Sequence, residues 1–264
     1  MLKPLNTVII GTGHVAHHIA SSFRENAEIS LVQVFNHRKT TLAKSFSATF
    51  GVPLVNNYEK LHILADIYIL CIKDSALPEV VNKLAALNLK GVVVHTSGST
   101  DLSVLKNASK HTGVYYPLQT FTRGAAVNWK TTPLLIEGNT RQSLKTIKQL
   151  AGSVSNTVKV VNSVTRLKLH VAAVFACNFT NALYAAAFGY IEANLSKKDT
   201  ALLKPIMLQS FLKLESLSPR MAQTGPAMRN DQVVIKKHLA LLKSDKQLTA
   251  VYKLLSDLIM KQQH

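Results

Sequence analysis

A short segment near the start of the chain has the residue types and spacing that can hold a phosphate group. Gly11-Thr12-Gly13-His14-Val15-Ala16 reads G-x-G-x-x-A, directly after an apolar run and at the start of a helical pattern. Gly11 allows a tight turn, Gly13 lets the backbone approach a pyrophosphate, and Ala16 lets a helix pack closely on a strand. The helix N-terminus adds free N–H groups and a partial positive charge. We predict that residues 11–15 bind a dinucleotide pyrophosphate; the alternative is a glycine turn that has lost its ligand.

The end of the next predicted strand indicates which dinucleotide is bound. Phe35 is followed by Asn36, His37 and Arg38, where an NAD enzyme usually carries a carboxylate about 20 residues after the glycines. No carboxylate is there to repel a 2′-phosphate, and Arg38 can pair with one through its guanidinium. We predict NADP(H) as the cofactor, with Asn36, His37 and Arg38 among its contacts. In the alternative, Arg38 is part of the solvated start of the next helix.

Polar residues also follow two later strands, and ligands of open α/β sheets lie outside such carboxyl ends. Ile72 and Lys73 come after one strand and are predicted to pass along the cofactor. Thr96 and Ser97 come after the next strand and are predicted to lie near the nicotinamide. His95 ends that strand, either as a catalytic proton donor or as a hydrogen-bonded structural residue, since imidazole titrates near neutral pH.

A helical segment after residue 162 carries polar residues among alanines. At about 100° per residue, His170, Asn178 and Asn181 fall within about 80° of one another, whereas Lys168 lies on the opposite face. Buried carboxamides need partners, so this stripe predicts either a ligand site or hydrogen bonding between helices. In the ligand interpretation, His170 donates a proton, Asn178 orients the reacting group and Asn181 contacts the substrate.

A turn at residues 224–231 precedes a later helix. Asn230 or Asp231 is a candidate cap for that helix, and Arg229 is a candidate contact for a substrate carboxylate. The alternative is a capped loop without a ligand.

The elements that position these residues alternate between strand and helix up to residue 161. Strands are predicted at residues 5–10, 29–35, 66–72, 91–95, 112–116, 133–137 and 157–161, with helices at 12–24, 41–50, 75–87 and 141–150. Only helices are predicted afterwards, at residues 165–193, 199–216, 230–243 and 246–262. The fold class is therefore α/β: a Rossmann, doubly wound parallel sheet over residues 1–161, followed by an all-α C-terminal domain over residues 162–264.

The composition is ordinary except for its charge. Lys and Arg total 31 against 14 Asp and Glu, giving a net charge of +17. The basic residues are scattered, so this excess favours small anionic ligands, with nucleic-acid binding as an alternative. No apolar run reaches the roughly 18 residues of a membrane span, and the first residues lack the pattern of a secretory signal. We expect a cytoplasmic protein without a metal site, in which Cys71 and Cys177 are small core residues.

Taken together, these residues resemble the family of Rossmann-like NADP oxidoreductases that end in a helical domain of unknown function. This family is related to pyrroline-5-carboxylate reductase, ketopantoate reductase and 6-phosphogluconate dehydrogenase. The resemblance covers nearly the whole chain and is carried by the segments at residues 11–16, 95–98, 116–121 and 225–231 and by the helix with Asn178 and Asn181. It implies a cofactor domain and a helical domain that dimerises.

One departure from the wider group concerns the proton donor. β-Hydroxyacid dehydrogenases in that group use a lysine on the first C-terminal helix, with an asparagine about one turn later. Here Lys168 faces away from the asparagines, and Ala172 occupies the position four residues on. His170 or His95 is therefore the preferred donor in a predicted NADP(H)-dependent transfer of hydride to or from a small anionic keto or imino compound. The alternative is an NADP-binding sensor without turnover.

The assembly follows from the same helix. Its segment from Leu167 to Tyr190 is apolar nearly all round, as buried helices are. Since few other helices are predicted to surround it, a second subunit is the expected cover, and the prediction is a homodimer.

Overall fold

The computed structural model describes residues 3–24 and 26–262. Contacts divide the chain into two compact units, one up to Cys177 and one from Asn178 onward. All strands belong to the first unit, and the described part of the second is built from helices and turns. The domain boundary predicted at residues 161 and 162 coincides with the end of the last strand segment, whereas the two compact units meet inside the helix that follows. That boundary therefore stays a prediction.

The described residues of the first unit form one eight-stranded sheet in the order β3-β2-β1-β4-β5-β6-β7-β8. Neighbouring strands are parallel except for β6 and β7, which are antiparallel. The predicted doubly wound Rossmann arrangement is confirmed, with the strand order reversing between β1 and β4. The strands are β1 (Leu5–Ile10), β2 (Ile29–Phe35), β3 (Leu54–Val55), β4 (Ile67–Leu70), β5 (Val92–His95), β6 (Thr112–Pro117), β7 (Leu134–Gly138) and β8 (Val158–Val160).

Four helices cross between these strands: α1 (His14–Phe23), α2 (Thr41–Phe50), α3 (Leu77–Ala85) and α4 (Arg141–Val154). The Thr40 hydroxyl caps α2 by accepting from the Ala43 N–H at 3.1 Å, and Gly51 ends it in the left-handed conformation at φ +64°. Thr140 and Ser143 form a reciprocal capping box at the start of α4. Such caps satisfy backbone groups that a helix end leaves unpaired.

Two features of the sheet differ from the prediction. The strand β3 was missed because it holds only two residues. The pair β6 and β7 was predicted to be parallel, but the connection between them holds only a three-residue helical turn, Trp129–Thr131. A parallel return usually runs through an α-helix that packs on the sheet, and residues 118–133 form none, so the chain turns back antiparallel.

The core of the first unit lies on both faces of the sheet. Side chains alternate along each strand, so Ile9 packs into a cluster on one face while Val8 and Ile10 pack into a cluster on the other. Burial on both faces is typical of parallel sheets covered by helices. The order of these parallel strands places the carboxyl ends of β1, β4 and β5 side by side at one edge of the sheet.

A long helical segment follows the sheet. It consists of α5 (Ser163–Ala173), a π-helical turn (Val174–Phe179) and α6 (Thr180–Asn194). A π-helical turn contains an extra residue, so the uniform spacing of 100° assumed for the polar stripe does not hold across it. This is a correction to the prediction: the phase of Asn181 relative to His170 changes by about one residue.

By length and composition, this segment is apolar enough to cross a membrane. Its most apolar 18-residue window has a mean hydropathy of 1.5, and none of that window is buried. The run of apolar residues is interrupted by Lys168, His170, Asn178 and Asn181, so the sequence alone predicts no membrane span there. The remaining helices of the second unit are α7 (Lys204–Leu212), α8 (Pro219–Ala222), α9 (Gln232–Leu242) and α10 (Lys246–Lys261), with short helical turns at Lys197–Leu203 and Lys213–Glu215.

Candidate cofactor and active site

The glycine loop between β1 and α1 has the geometry that phosphate binding requires. Gly11 has φ +106°, and a side chain there would collide with the Cys71 carbonyl. Gly13 is the N-terminal cap of α1 and makes no side-chain cap hydrogen bond, and a Cβ at Gly13 would meet nothing within 4 Å. Ala16 is fully buried in the core. The loop thus offers uncapped N–H groups beside open space, which fits a pyrophosphate.

The turn after β2 leaves Arg38 available for a ligand. Asn36 donates from its side-chain amide to the Arg38 carbonyl at 2.6 Å, and the Thr40 N–H donates to the same carbonyl at 2.9 Å. Asn36 therefore shapes the turn, while His37 and Arg38 are exposed. The Arg38 guanidinium makes no hydrogen bond or ion pair to any residue that the structure describes, so it can meet a 2′-phosphate.

A hydroxyl network joins the ends of β4 and β5. The Ser97 and Ser99 hydroxyls donate to Asp74 Oδ2 at 2.6 and 2.8 Å, and the Thr100 N–H donates to the Ser97 oxygen at 2.9 Å. Burial raises the pKa of Asp74, but these hydroxyl bonds outweigh it and hold the pKa below its usual value. The Thr96 hydroxyl donates to the Leu70 carbonyl at 3.3 Å. Thr96 and Ser97 thus belong to a fixed turn at the carboxyl end of β5.

The residues after β4 lie at the same edge. Ile72 is half-buried, with a methyl group near Gly11, and Lys73 is exposed. Their predicted contacts with the cofactor, like those of His14 and Val15, stay predictions.

The structure buries the His95 side chain at the end of β5. Its side chain is 1% exposed, and its Nδ1 accepts a hydrogen bond from the Ser97 N–H at 3.1 Å. Burial, followed by the nearby charge of Arg166, lowers the pKa of His95 to about 4. A group that is neutral and buried at pH 7 is a poor proton donor. The geometry favours the structural alternative, in which His95 holds the turn that carries Ser97.

A second histidine meets a tyrosine at this edge. His170, on α5, lies with its Nδ1 2.9 Å from the Tyr116 hydroxyl of β6, and the two rings are edge-on at 5.9 Å. Gly98 lies against both, since a Cβ there would be 2.6 Å from His170 Nδ1 and 2.8 Å from the Tyr116 ring. Tyr116 is 9% exposed whereas His170 is half-buried. Burial raises the pKa of Tyr116, which Arg166 partly opposes, so the phenol stays protonated.

A buried ion pair fixes the helix that carries His170. Arg166, 1% exposed, pairs with Glu137 of β7 and donates to the Thr100 carbonyl and, at 3.1 Å, to the Ser163 hydroxyl. Glu137 also accepts from the Ser163 hydroxyl at 2.8 Å. Because residues four apart share a helix face, Arg166 anchors the same face of α5 from which His170 reaches Tyr116.

Three predicted site residues belong to the second unit. Asn178, in the π-helical turn, and Asn181, in α6, are both exposed, so the predicted burial of these carboxamides is wrong for the single chain. Arg229 is also exposed, in a turn that Asp231 ends by capping α9 through the Val234 N–H at 3.1 Å. The roles given to these three residues stay predictions.

No sequence pattern alone indicates a role for Tyr116, Glu137, Arg166 or Asp74. Tyr116 stands at the carboxyl end of a strand, and this position was the one signal that could have indicated it. Arg166 stands near the start of a largely apolar helix, where a charge that faces the core needs a buried partner. The partner, Glu137, is 29 residues away in sequence, and no local pattern relates the two.

The two cysteines are free. Cys71 is buried, and burial raises the pKa of its thiol to about 12, whereas Cys177 in the π-helical turn is only half-buried. Among the residues that the structure describes, no group of three His, Cys, Asp or Glu side chains could hold a metal ion.

Comparison with known proteins supports what the geometry indicates. Residues 6–97 match a family described as "NADP oxidoreductase coenzyme F420-dependent", and residues 132–259 match a domain of unknown function, DUF2520. The crystal structure of a proposed NADP oxidoreductase from Bacteroides fragilis is 32% identical, with a TM-score of 0.90 over 98% of both chains. The chain belongs to this family of NADP oxidoreductases. No curated protein sequence matches it.

More distant structures share the fold. A reductive aminase from Aspergillus terreus, in complex with NADPH and ethyl-5-oxohexanoate, is 15% identical over 98% of this chain and 95% of the aminase, with a TM-score of 0.66. A pyrroline-5-carboxylate reductase from Coxiella burnetii is 15% identical over 97% and 99% of the two chains, with a TM-score of 0.59. The family makes the protein an NADP-dependent oxidoreductase, with NADP(H) as its cofactor.

Proposed function

We propose that this protein reduces the C=N or C=O group of a small anionic compound with NADPH. The observation that carries the proposal is the His170–Tyr116 pair, which lies against Gly98 at the edge of the sheet that also holds the glycine loop. The net charge of +17 favours an anionic substrate. A reductive aminase and a pyrroline-5-carboxylate reductase among the structural neighbours favour an imine.

The residues of the pair have different roles in this proposal. The nicotinamide supplies hydride to the substrate carbon, which leaves the nitrogen or oxygen in need of a proton. His170 donates that proton from Nε2, because its half-buried ring remains accessible while Nδ1 is held by Tyr116. Tyr116 is buried and stays a phenol, so it orients the imidazole. Asn178, Asn181 and Arg229 belong to the second unit, and the roles predicted for them, orienting the reacting group and contacting the substrate, stay part of the proposal.

Replacement of His170 tests this proposal. Substitution His170→Asn keeps a polar atom near Tyr116 but removes the proton donor, so kcat should fall by about 10²–10⁴-fold. NADPH affinity, measured by fluorescence titration, should stay within about twofold because the glycine loop is untouched. Gly13→Asp is the complementary variant, which should lose NADPH binding because its carboxylate repels the pyrophosphate. It should still fold, since a side chain at this position meets open space.

The outcomes separate the candidate functions. Oxidation of NADPH by a panel of small imino and keto acids would support a reductase, whereas NADPH binding without turnover of any of them would indicate a sensor. Full activity in His170→Asn would remove His170 from the mechanism. Asn178→Ala should lose activity without losing NADPH binding, and full activity in that variant would make the asparagine structural.

We further propose that the protein is a homodimer whose second copy covers the helical segment Ser163–Asn194. This segment exposes large apolar side chains in the single chain, among them Leu167 at 43%, Val171 at 49% and Leu183 at 40%. Apolar surface of this extent on one element is typical of an interface, and a symmetric dimer is the commonest assembly. A monomer by light scattering at low micromolar concentration would contradict the proposal.

A further inference from the structure

A small pocket lies between the first turns of α1 and α2, next to the glycine loop. Its volume is about 90 Å³. Its polar lining comes from Arg123, in the connection between β6 and β7, and from Thr12, Gly13, His14, His17, His18 and Ser45. No carboxylate is among the residues that line it. The pocket therefore combines hydroxyls, imidazoles, a guanidinium and the uncapped start of α1, which are all groups that bind anions.

The position of Arg123 is built into the fold. His18, 7% exposed on α1, has its Nε2 3.0 Å from the Thr122 carbonyl, and its ring stacks on Phe121 at 5.0 Å. Phe121 stacks in turn on Trp129 at 5.7 Å. These contacts hold the residues immediately before Arg123 against α1. The guanidinium is thereby brought to the glycine loop from a segment more than 100 residues away in sequence.

Arg123 brings a fixed positive charge to the pocket, and three imidazoles lie around it. Burial lowers the pKa of His17, and the nearby charges of His18, Arg123, Arg24 and His14 lower it further. The His17 ring is held by edge contacts with Phe46 at 6.2 Å and Phe50 at 5.1 Å. Positive charge near the pocket therefore opposes protonation of the His17 ring, and an anion bound there would offset this opposition.

We propose that this pocket binds a phosphate group of the cofactor and that Arg123 contacts that phosphate directly. The inference deepens the proposed function, on whose cofactor it rests, but it is independent of the catalytic pair. NADP(H) carries two kinds of phosphate that could enter the pocket: the pyrophosphate, which the glycine loop faces, and the 2′-phosphate of the adenosine ribose. Both present oxygens that a guanidinium can bind through two hydrogen bonds.

Binding experiments with Arg123→Ala distinguish the two sources. NADPH, NADH, 2′-AMP and 5′-AMP are titrated into the full-length protein by calorimetry, and NADPH affinity should fall about tenfold or more, as expected when one charged hydrogen bond is lost. A loss confined to NADPH and 2′-AMP assigns the pocket to the 2′-phosphate. An equal loss for NADPH and NADH, with 2′-AMP unchanged, assigns it to the pyrophosphate. Arg123→Lys should restore part of the affinity.

Two comparison variants make the result specific. Arg141→Ala removes the same charge from an exposed position at the start of α4, so it controls for net charge and should leave every affinity unchanged. Arg38→Ala should weaken NADPH but not NADH. Unchanged affinities for all ligands in Arg123→Ala would overturn the inference while the proposed function stands. Failure of the unmodified protein to bind NADPH would instead overturn the proposed function.

Discussion

His95 illustrates how burial decides what a histidine at a strand end can do. Its pKa of about 4 lies well below the ordinary value of 6.5, chiefly because the ring is removed from water. Folding therefore favours the neutral ring, which accepts the Ser97 N–H. Below pH 6.5 the unfolded chain protonates His95 while the folded chain does not, so the free energy of unfolding decreases as the pH falls.

This gives a prediction with a defined pH window. The stability linked to His95 should be fully present above about pH 6.5, decrease between pH 6.5 and 4, and change no further below pH 4. The loss should reach about 3 kcal/mol, since each pKa unit corresponds to about 1.4 kcal/mol. Urea unfolding across this range should show a shallower dependence in His95→Asn, whose amide oxygen can still accept the Ser97 N–H. An identical dependence in both proteins would contradict the assignment.

At the residue scale, the sequence predicted backbone roles better than side-chain roles. The conformations of Gly11 and Gly13 follow from a local motif, and the structure agrees with that motif. His95 and His170 were equivalent candidates, because a linear pattern does not show which imidazole is covered. Tyr116 and Glu137 reach their partners across 54 and 29 residues. Contacts over such separations exist only once the sheet has formed.

At the scale of elements, α5 is held on the sheet by the Arg166–Glu137 pair. Substitution Arg166→Met should lower the free energy of unfolding by about 3 kcal/mol, because it leaves the Glu137 carboxylate, 17% exposed, without its cation. The double variant Glu137→Met and Arg166→Met should recover much of this loss, since apolar side chains can replace a buried ion pair. Urea unfolding measures both, and equal losses in the two variants would show that the charge is not the cause.

The long strands and helices are the elements that the sequence pattern predicts best. Alternation of apolar strands with amphipathic helices predicted seven of the eight strands that the described residues form, since each long element carries its own period. The two-residue β3 carries too little pattern to detect. The π-helical turn at Val174–Phe179 was also missed, because its residues have the same apolar character as an α-helix. The direction of β7 depends on its connection and not on its own residues.

At the scale of the whole molecule, the exposed apolar surface of Ser163–Asn194 predicts that stability depends on concentration. If a second copy covers this surface, Tm should rise with protein concentration, because association binds the folded chain alone. Leu183→Glu should abolish this dependence and give a monomer by light scattering. Leu64→Glu is the matched control, since Leu64 is 74% exposed in the first unit. A Tm independent of concentration in the unmodified protein would contradict the dimer.

The two edge strands of the sheet limit how copies of this chain can associate. The outermost strands are also the shortest, two residues in β3 and three in β8, and β8 exposes Lys159. An edge strand this short offers a neighbouring molecule few unpaired backbone groups with which to extend the sheet. A lysine on that strand opposes such pairing further. Growth into fibres through added strands is thereby disfavoured. The proposed dimer through the helical surface avoids such growth, since a two-fold arrangement closes after one partner.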